Sequence, residues 1–540
     1  MKIEEFLKTF GYYLTDVPEV FPWFVALLLG TGILVTFRLG FIQFRRLKHA
    51  FHVIAGHYDD PNEKGDVTHF QALTVALSAT VGVGNIAGVA IAIHVAGPGA
   101  LFWMWMTALF GMALKYVECT LAMRYRVFDK NGDAAGGPMY YIEKGLGWKW
   151  AGIGFAICAV ICSFATGNMN QSNTISSVVS GRGLDYPLLV GIFLAILVGA
   201  VIIGGVRRIA SVTDKLLPSM AIIYFGSALL ILILNIEKIP SLINTIIISA
   251  FNPASAFGGT AAGAFTATML YGIKRGLFSN EAGQGSAPIA HASAKTGEPV
   301  REGVVAMVGP FIDTLIICSL TGLVLLVTNA WNTRFDGEYF PSNVIAASVI
   351  EQGQPTPIQG PVRFINGKPD GFLLELNHAD IQEPLMTKDG QPFNGTLESQ
   401  QGRIQTGEGN YLIHGKALLN GAPLTSKAFE IGLSKLISWG SWIVDISVFL
   451  FAISTIIGWS YYGDRSFEYL FGTQYLIVYR LLYLIFVCLG AIFRLDLVWA
   501  FGDIALSLMA IPNLIAILFL HGKVVQETQE YFAKEQQFIR

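Results

Sequence analysis

Ser78-Ala-Thr-Val-Gly-Val-Gly-Asn-Ile-Ala-Gly-Val-Ala90 lies inside an apolar run from about Phe70 to Ala96, long enough to cross a bilayer. Gly82 and Gly84, followed by Asn85, weaken the helix near mid-membrane depth, because glycine tolerates non-helical torsions there. Hydrocarbon cannot solvate a free N–H or C=O, so non-helical backbone at that depth is buried in protein or lines a wet cavity. The break therefore points to a small-molecule or ion site. Two other readings compete. Gly82-Val-Gly84-Asn-Ile-Ala87 spells a dinucleotide fingerprint, but that motif needs a preceding strand and an acidic residue about 20 positions on. Here the flanks are apolar helix, and no Asp or Glu falls between Asp66 and Glu118. Gly84 and Gly88 also form a GxxxG face where a second helix can pack closely.

The surrounding composition is that of a polytopic membrane protein. The 540 residues are 53% hydrophobic and only 14% charged, with mean hydropathy +0.53; a soluble chain carries roughly 25% charge. A net charge of −2 argues against nucleic acid as a partner. The five cysteines, Cys119, Cys158, Cys162, Cys318 and Cys488, all fall in apolar spans, so no disulfide framework or metal knuckle is expected. Lys2, Glu4, Glu5 and Lys8 do not make a basic leader, so no cleavable signal peptide is expected.

Apolar spans fall at roughly 21–37, 70–96, 98–123, 151–179, 187–205, 216–236, 260–294 (interrupted), 303–329, 439–461, 475–493 and 497–520. The expected fold is an all-α polytopic membrane protein of about 11 transmembrane helices. Arg38, Arg45, Arg46, Lys48, Arg124, Arg126, Arg207, Arg208 and Lys215 gather in loops of one side. The positive-inside rule then puts the N-terminus outside and the C-terminus in the cytoplasm. Without the first span, ten remain as five plus five, each set opening on a glycine-interrupted helix. The second interruption is Tyr271-Gly-Ile-Lys-Arg-Gly-Leu-Phe-Ser-Asn-Glu-Ala-Gly-Gln-Gly-Ser286. Paired breaks of this kind mark an inverted-repeat secondary transporter with its site at the repeat interface. The expected division is 1–67, an extra helix and loop; 68–236, the first repeat; 237–331, the start of the second; 424–522, its remainder; and 523–540, a tail. Residues 332–423 form a hydrophilic, turn-rich insertion, read as a small β-rich extracytoplasmic module with hairpins near Val362–Ile365, Phe372–Leu376 and Tyr411–His414.

Several motifs together resemble the alanine/glycine:cation symporter family. They are Ser78–Gly88, Gly136-Gly-Pro-Met-Tyr-Tyr141, Asn168-Met-Asn-Gln171, Arg275-Gly-Leu-Phe-Ser-Asn-Glu-Ala-Gly283, Asp313-Thr314, Thr455-Ile-Ile-Gly-Trp-Ser-Tyr-Tyr-Gly463 and Pro512-Asn-Leu514. The resemblance covers nearly the whole chain. It implies a LeuT-type fold and Na⁺-coupled import of small neutral amino acids, alanine or glycine, across a bacterial inner membrane. Na⁺ is the implied coupling ion, with H⁺ as the alternative, and no organic cofactor is implied. The insertion departs from the compact family pattern.

A neutral amino acid is a zwitterion, so both ends need partners. Backbone N–H groups of Gly82, Val83, Gly84 and Asn85 are the candidates for its carboxylate. Asn280 at the second break is the candidate amide for the ammonium. Na⁺ prefers hard oxygen ligands. By similarity to the LeuT-type sodium site, the carbonyls of Ser78 and Val81 would meet the hydroxyls of Ser454 and Thr455; back-bonding to the previous turn is the plain alternative for both hydroxyls. Asn168 and Gln171, three apart, are expected on one helix face, and Asn170 and Asn173 on the adjacent one; inter-helix hydrogen bonding and lining of the substrate pocket are the two readings, and the family's amide at Gln171 faces substrate. Trp459, one turn after Thr455, is expected to cap the pocket and restrict side-chain size, with plain packing as the alternative. Asp313, near the middle of its span, is either a proton-carrying or cation-linked group or structurally bonded to a neighbour such as Arg275, and the structural reading is preferred because an ionised carboxylate at that depth needs a partner. No nucleophile, metal cluster or phosphate loop is legible, so an enzyme is not expected. A ligand-gated channel or a sensor using the outer insertion is the other functional class, but the charge rings or filter carbonyls of a channel are missing.

Overall fold

The apolar runs become helices in the computed structural model, which describes residues 10, 13–14, 22–60, 62–128, 132–182, 184, 186–252, 261–341, 344–349, 355–376, 379–400, 402–493 and 495–538. The N-terminal charges Lys2 to Lys8 lie outside the described residues. Among the described residues seven helices are long and apolar enough to cross a membrane, or eight when the bent pair His69–Thr80 and Gly84–Ala96 counts as one span. The helices that build the site are α1 (Trp23–Arg38), α2 (His69–Thr80), α3 (Val89–Ala96), α4 (Gly99–Tyr125), α5 (Lys149–Phe164), α6 (Asn170–Gly181), α7 (Gly205–Ile233), α8 (Ala261–Asn280), α9 (Ala287–His291), α10 (Pro299–Ala306), α11 (Ser319–Val327), α12 (Gly421–Leu433), α13 (Gly440–Phe471), α14 (Leu476–Ile492) and α15 (Leu495–Phe538).

Thr68 starts α2 with a capping box: its hydroxyl accepts from Gln71 N–H, and the Gln71 side chain accepts from Thr68 N–H. The helix stops at Thr80, and the chain resumes as a π-helical turn, Gly84–Gly88, continuous with α3; the arms His69–Thr80 and Gly84–Ala96 meet at a 54° bend. The GxxxG reading holds for one of its two glycines. A Cβ on Gly84 would lie 2.9 Å from Phe278 of α8, whereas Gly88 has 4.0 Å to its nearest neighbour, Arg275. The second interruption is shorter than the glycine spacing predicts. Helix α8 runs unbroken through Asn280. Gly272 and Gly276 instead let α8 approach α4, where a Cβ would stand 2.5 Å from the Ala100 carbonyl and 3.0 Å from Thr107. The break itself is Glu281 to Ser286, with left-handed backbone at Glu281 (φ 53°), Gly283 and Gly285 (both φ 82°).

The far ends of the two interrupted spans are clamped together. The Glu302 carboxylate on α10 hydrogen-bonds Nδ1 of His69 and Nδ1 of His291, all three buried. Arg126 donates to the carbonyls of Ala292 (3.0 Å), Ala294 (2.7 Å) and Thr296 (2.6 Å). A fixed cation thus satisfies the carbonyls that α9 leaves open.

Between Arg334 and Leu418 the described chain forms antiparallel sheets with a hydrophobic cluster of their own around Phe364, Phe372, Met386 and Ile413. Asn366-Gly367 and Asp389-Gly390 both take positive φ and close two-residue hairpins, as their sequence demands. Arg334 pairs with Leu418. The segment therefore leaves and rejoins the helices at one place.

Candidate functional site

Val81 leaves helical geometry (ψ 86°), while its own N–H still reaches the Leu77 carbonyl at 2.7 Å. Beyond it the backbone finds side-chain partners. Gly82 N–H donates to Asn85 Oδ1 at 2.9 Å, and Val83 N–H donates to Gln171 Oε1 at 3.4 Å. Two of the four donors expected to be free for a carboxylate, Gly82 and Val83, are thus engaged by the protein's own amides, and Asn85 N–H donates to the Gly82 carbonyl at 3.2 Å. Gly82 is the tightest point of the break. A Cβ there would stand 2.4 Å from Thr455 Oγ1 and 3.4 Å from Gln171 Oε1, so α2, α6 and α13 meet around a residue without a side chain. Gly82→Ala is accordingly expected to reduce uptake by at least tenfold while surface expression persists, since overpacking of this order costs about 1–3 kcal/mol. Transport at the parental rate would contradict it.

Asn85 is a strut. Its Nδ2 donates to Asp313 Oδ1 at 2.6 Å and to Ser279 Oγ at 3.1 Å, and its carbonyl accepts from Thr321 Oγ1 at 2.9 Å. Asp313 also accepts from Ser279 Oγ (2.6 Å) and Thr314 Oγ1 (2.7 Å). Arg275, the partner expected from sequence, lies elsewhere, with its guanidinium 5.8 Å from the Phe278 ring centre. The reason is local: Phe311–Cys318 is π-helical, and it aims Asp313 at the hydroxyl-bearing end of α8. Ser279 and Thr314, which sequence reading passed over, were signalled only by adjacency to Asn280 and Asp313. Asn280 closes the same end. Its Oδ1 accepts from Ala282 N–H at 3.0 Å and its Nδ2 donates to Thr314 Oγ1 at 3.2 Å, so it caps α8 where an ammonium partner was expected.

Helix α13 supplies the contrast that distinguishes function from filler. Ser447, Ser460 and Ser466 donate back to the preceding turn, at 2.7, 2.6 and 2.9 Å. Ser454 Oγ and Thr455 Oγ1 are buried and make no hydrogen bond among the described residues. Thr455 Oγ1 faces the end of α2, as the approach at Gly82 shows, and a Cβ on Gly458, one turn on, would lie 2.8 Å from Ser78 Oγ. Two buried hydroxyls without partners cost free energy unless something else fills their lone pairs. Ser78 itself back-bonds to the Val75 carbonyl at 2.9 Å, leaving its own carbonyl near the end of α2.

Trp459 is fully buried, and its Nε1–H donates to Glu281 Oε1 at 3.0 Å. Glu281 also accepts from Ser286 Oγ at 2.6 Å. One indole therefore joins α13 to the second break. Its other face lies on Gly167, where a Cβ would come within 2.2 Å of Trp459 Cγ. Asn513 braces that break from α15. Its Nδ2 donates to the Gly283 carbonyl (2.9 Å) and to Glu118 Oε1 (2.7 Å), while Tyr141 donates to its Oδ1.

Asn168 and Gln171 do not share a face. Ala165–Met169 is π-helical, and the wider turn shifts the i, i+3 register. Gln171 turns to the break, whereas Asn168 Nδ2 donates to the Tyr483 carbonyl of α14 at 2.8 Å. Asn173 likewise bonds the carbonyls of Gly490 (2.8 Å) and Phe493 (2.7 Å). Of these three amides, Gln171 belongs to the break, while Asn168 and Asn173 tie the π-helical turn and α6 to α14 and the residue after it.

Among the described residues the arrangement is two interrupted helices, a pair of unpartnered hydroxyls and a buried carboxyl strut. Its sequence counterpart is broad. The profile of the sodium:alanine symporter family matches residues 4–354 and 408–539. An uncharacterized transporter of Haemophilus influenzae is 40% identical over 536 residues, covering 99% of this chain and 97% of that protein. The sodium/alanine symporter AgcS of Methanococcus maripaludis is 40% identical over 518 residues, 94% of each chain. A probable sodium/glutamine symporter of Bacillus subtilis is 33% identical over 508 residues, 94% of this chain and 87% of that one. Spanning helices, interrupted core and match along both stretches agree: this chain is a multi-pass membrane transporter coupled to Na⁺, and it belongs to the sodium:alanine symporter family.

Proposed function

We propose that the protein imports small neutral amino acids, alanine or glycine, together with Na⁺. The observation that carries this reading is the pair Ser454 and Thr455, whose hydroxyls have no partner among the described residues where α13 meets the end of α2. Na⁺ sits between them and the carbonyls of Ser78 and Val81. The substrate carboxylate takes the N–H groups of Val83 and Gly84 within the Gly82–Asn85 break, displacing the long 3.4 Å bond that Val83 N–H donates to Gln171 Oε1; the freed amide then turns to substrate. Trp459, wedged on Gly167, sets the size limit.

The wider architecture goes with this reading. The chain has eleven spans, one extra helix ahead of a LeuT-type 5+5 inverted repeat, with the N-terminus outside, the tail in the cytoplasm and the sheet segment 332–423 on the outer face. Rocking of the interrupted helices against α5, α6 and α13 exposes the site to each side in turn. Because the substrate is neutral overall, each Na⁺ carries one net charge inward. A membrane potential then contributes about 2.3 kcal/mol per charge per 100 mV.

The test is a thermal-stability screen of the purified protein in NaCl, KCl and choline chloride with alanine, glycine and glutamine. Alanine or glycine is expected to raise the midpoint in Na⁺ alone. Stabilisation by glutamine but by neither smaller substrate would overturn the size limit. Gly167→Ala is expected to weaken alanine uptake about tenfold by pushing the indole inward, read as a rise in half-saturating alanine concentration.

A further inference from the structure

The end of α1 reads Phe37-Arg-Leu-Gly-Phe-Ile-Gln-Phe-Arg-Arg46, aromatic and basic residues interleaved at the edge of an apolar span. Such residues gather at headgroup level. Gly40 and Phe41 are both left-handed (φ 61° and 57°). The chain therefore turns off the α1 axis into the short helix Ile42–Arg45 and then Leu47–Ile54. The turn leaves Phe37, Phe41 and Phe44 exposed. Between it and the C-terminal part of α15 lies a cavity of about 340 Å³, remote from the transport site. Arg38, Arg45 and Arg46 line it with Phe37, Gln529 and Phe532, and no Asp or Glu is among its lining residues. Arg46 is fixed by stacking on Phe532, 3.7 Å from the ring centre, and Arg45 by a 3.3 Å bond from Nη1 to the Gly40 carbonyl. Arg38 is exposed and makes no ion pair among the described residues.

We propose that this cavity binds the phosphate headgroup of an anionic phospholipid, whose acyl chains run along the exposed phenylalanines. Three guanidiniums lining a space with no carboxylate among its described lining residues make a site for a phosphate, which they bind through paired, charge-assisted N–H donors. A free phosphate offers the same oxygens but has no use for an apolar flank of three aromatic rings at the end of a membrane span. Basic pockets between helices at the membrane edge hold acidic headgroups on the same terms. The consequence is a lipid that ties the extra helix α1 to the long terminal helix α15.

The test titrates the purified full-length protein, in neutral detergent, with phosphatidylglycerol, phosphatidylcholine or inorganic phosphate, and follows the thermal midpoint. Phosphatidylglycerol is expected to stabilise saturably, and the other two not. Arg38→Gln is expected to raise the half-saturating lipid concentration about fivefold, and the triple variant R38Q/R45Q/R46Q to abolish the effect. Arg207→Gln, in the first turn of α7 and outside the cavity, is expected to titrate like the parent. Equal stabilisation by phosphatidylcholine, the full effect with inorganic phosphate alone, or an unchanged titration in Arg38→Gln would each overturn the proposal. Should the triple variant not fold, Arg38→Gln decides, because its side chain holds no other element in place.

Discussion

Thr455→Ala loses the Na⁺ dependence of transport: the apparent affinity for Na⁺ falls at least about tenfold, equivalent to about 1.4 kcal/mol, and Na⁺ no longer raises the thermal midpoint. The argument is one of partners. Thr455 Oγ1 is buried yet bonds nothing among the described residues, so its removal breaks no internal hydrogen bond. Folding in choline chloride is then expected to be unaffected, and only the ion-bound state loses a ligand. Ser460, on the same helix, donates to the Ile457 carbonyl at 2.6 Å and serves as the control. Ser460→Ala keeps the parental Na⁺ response. Full Na⁺ dependence in Thr455→Ala would mean that the ion lies elsewhere.

Asp313→Ala is expected to abolish uptake and to destabilise the protein by about 1–3 kcal/mol for each buried donor it leaves without an acceptor. The carboxylate collects Asn85, Ser279 and Thr314. Without it Asn85 loses its anchor, and Asn85 is what holds Gly82 N–H at the first break. Both interrupted helices thus depend on one side chain of a third. Asp313→Asn keeps the shape but turns one acceptor into a donor facing other donors, so an intermediate loss is expected. Denaturation midpoints and uptake measured on the same preparations separate the two effects. A stable Asp313→Ala that still transports would remove the strut from the account.

How much of this was legible beforehand depended on the kind of signal. Gly82, Gly84 and Asn85 marked the first break because a glycine pair inside an apolar run has few other uses. Asn366-Gly367 and Asp389-Gly390 marked their hairpins because few other residues accept positive φ in succession. Glycine spacing alone misjudged the second break. Gly272 and Gly276 serve close packing of α8 on α4, and the left-handed turn begins at Glu281, a residue type with no preference for it. The π-helical turns at Ala165–Met169 and Phe311–Cys318 were not legible either. One added residue per turn rotates everything beyond it, which sends Asn168 to α14 and leaves Gln171 at the break. The same effect gives Asp313 its neutral partners in place of Arg275. The unpartnered state of Ser454 and Thr455 could be learned only from their surroundings, because five hydroxyl residues between Ser447 and Ser466 look alike in sequence.

The central claim is that an ion and a zwitterion occupy the meeting place of two interrupted helices and cross together. Reconstituted into liposomes, the protein should accumulate labelled alanine against its gradient when Na⁺ is high outside, and faster when a potassium diffusion potential makes the interior negative. Replacing external Na⁺ with choline should abolish accumulation. Equal accumulation in choline, or a rate indifferent to the imposed potential, would contradict the coupled crossing of substrate and Na⁺.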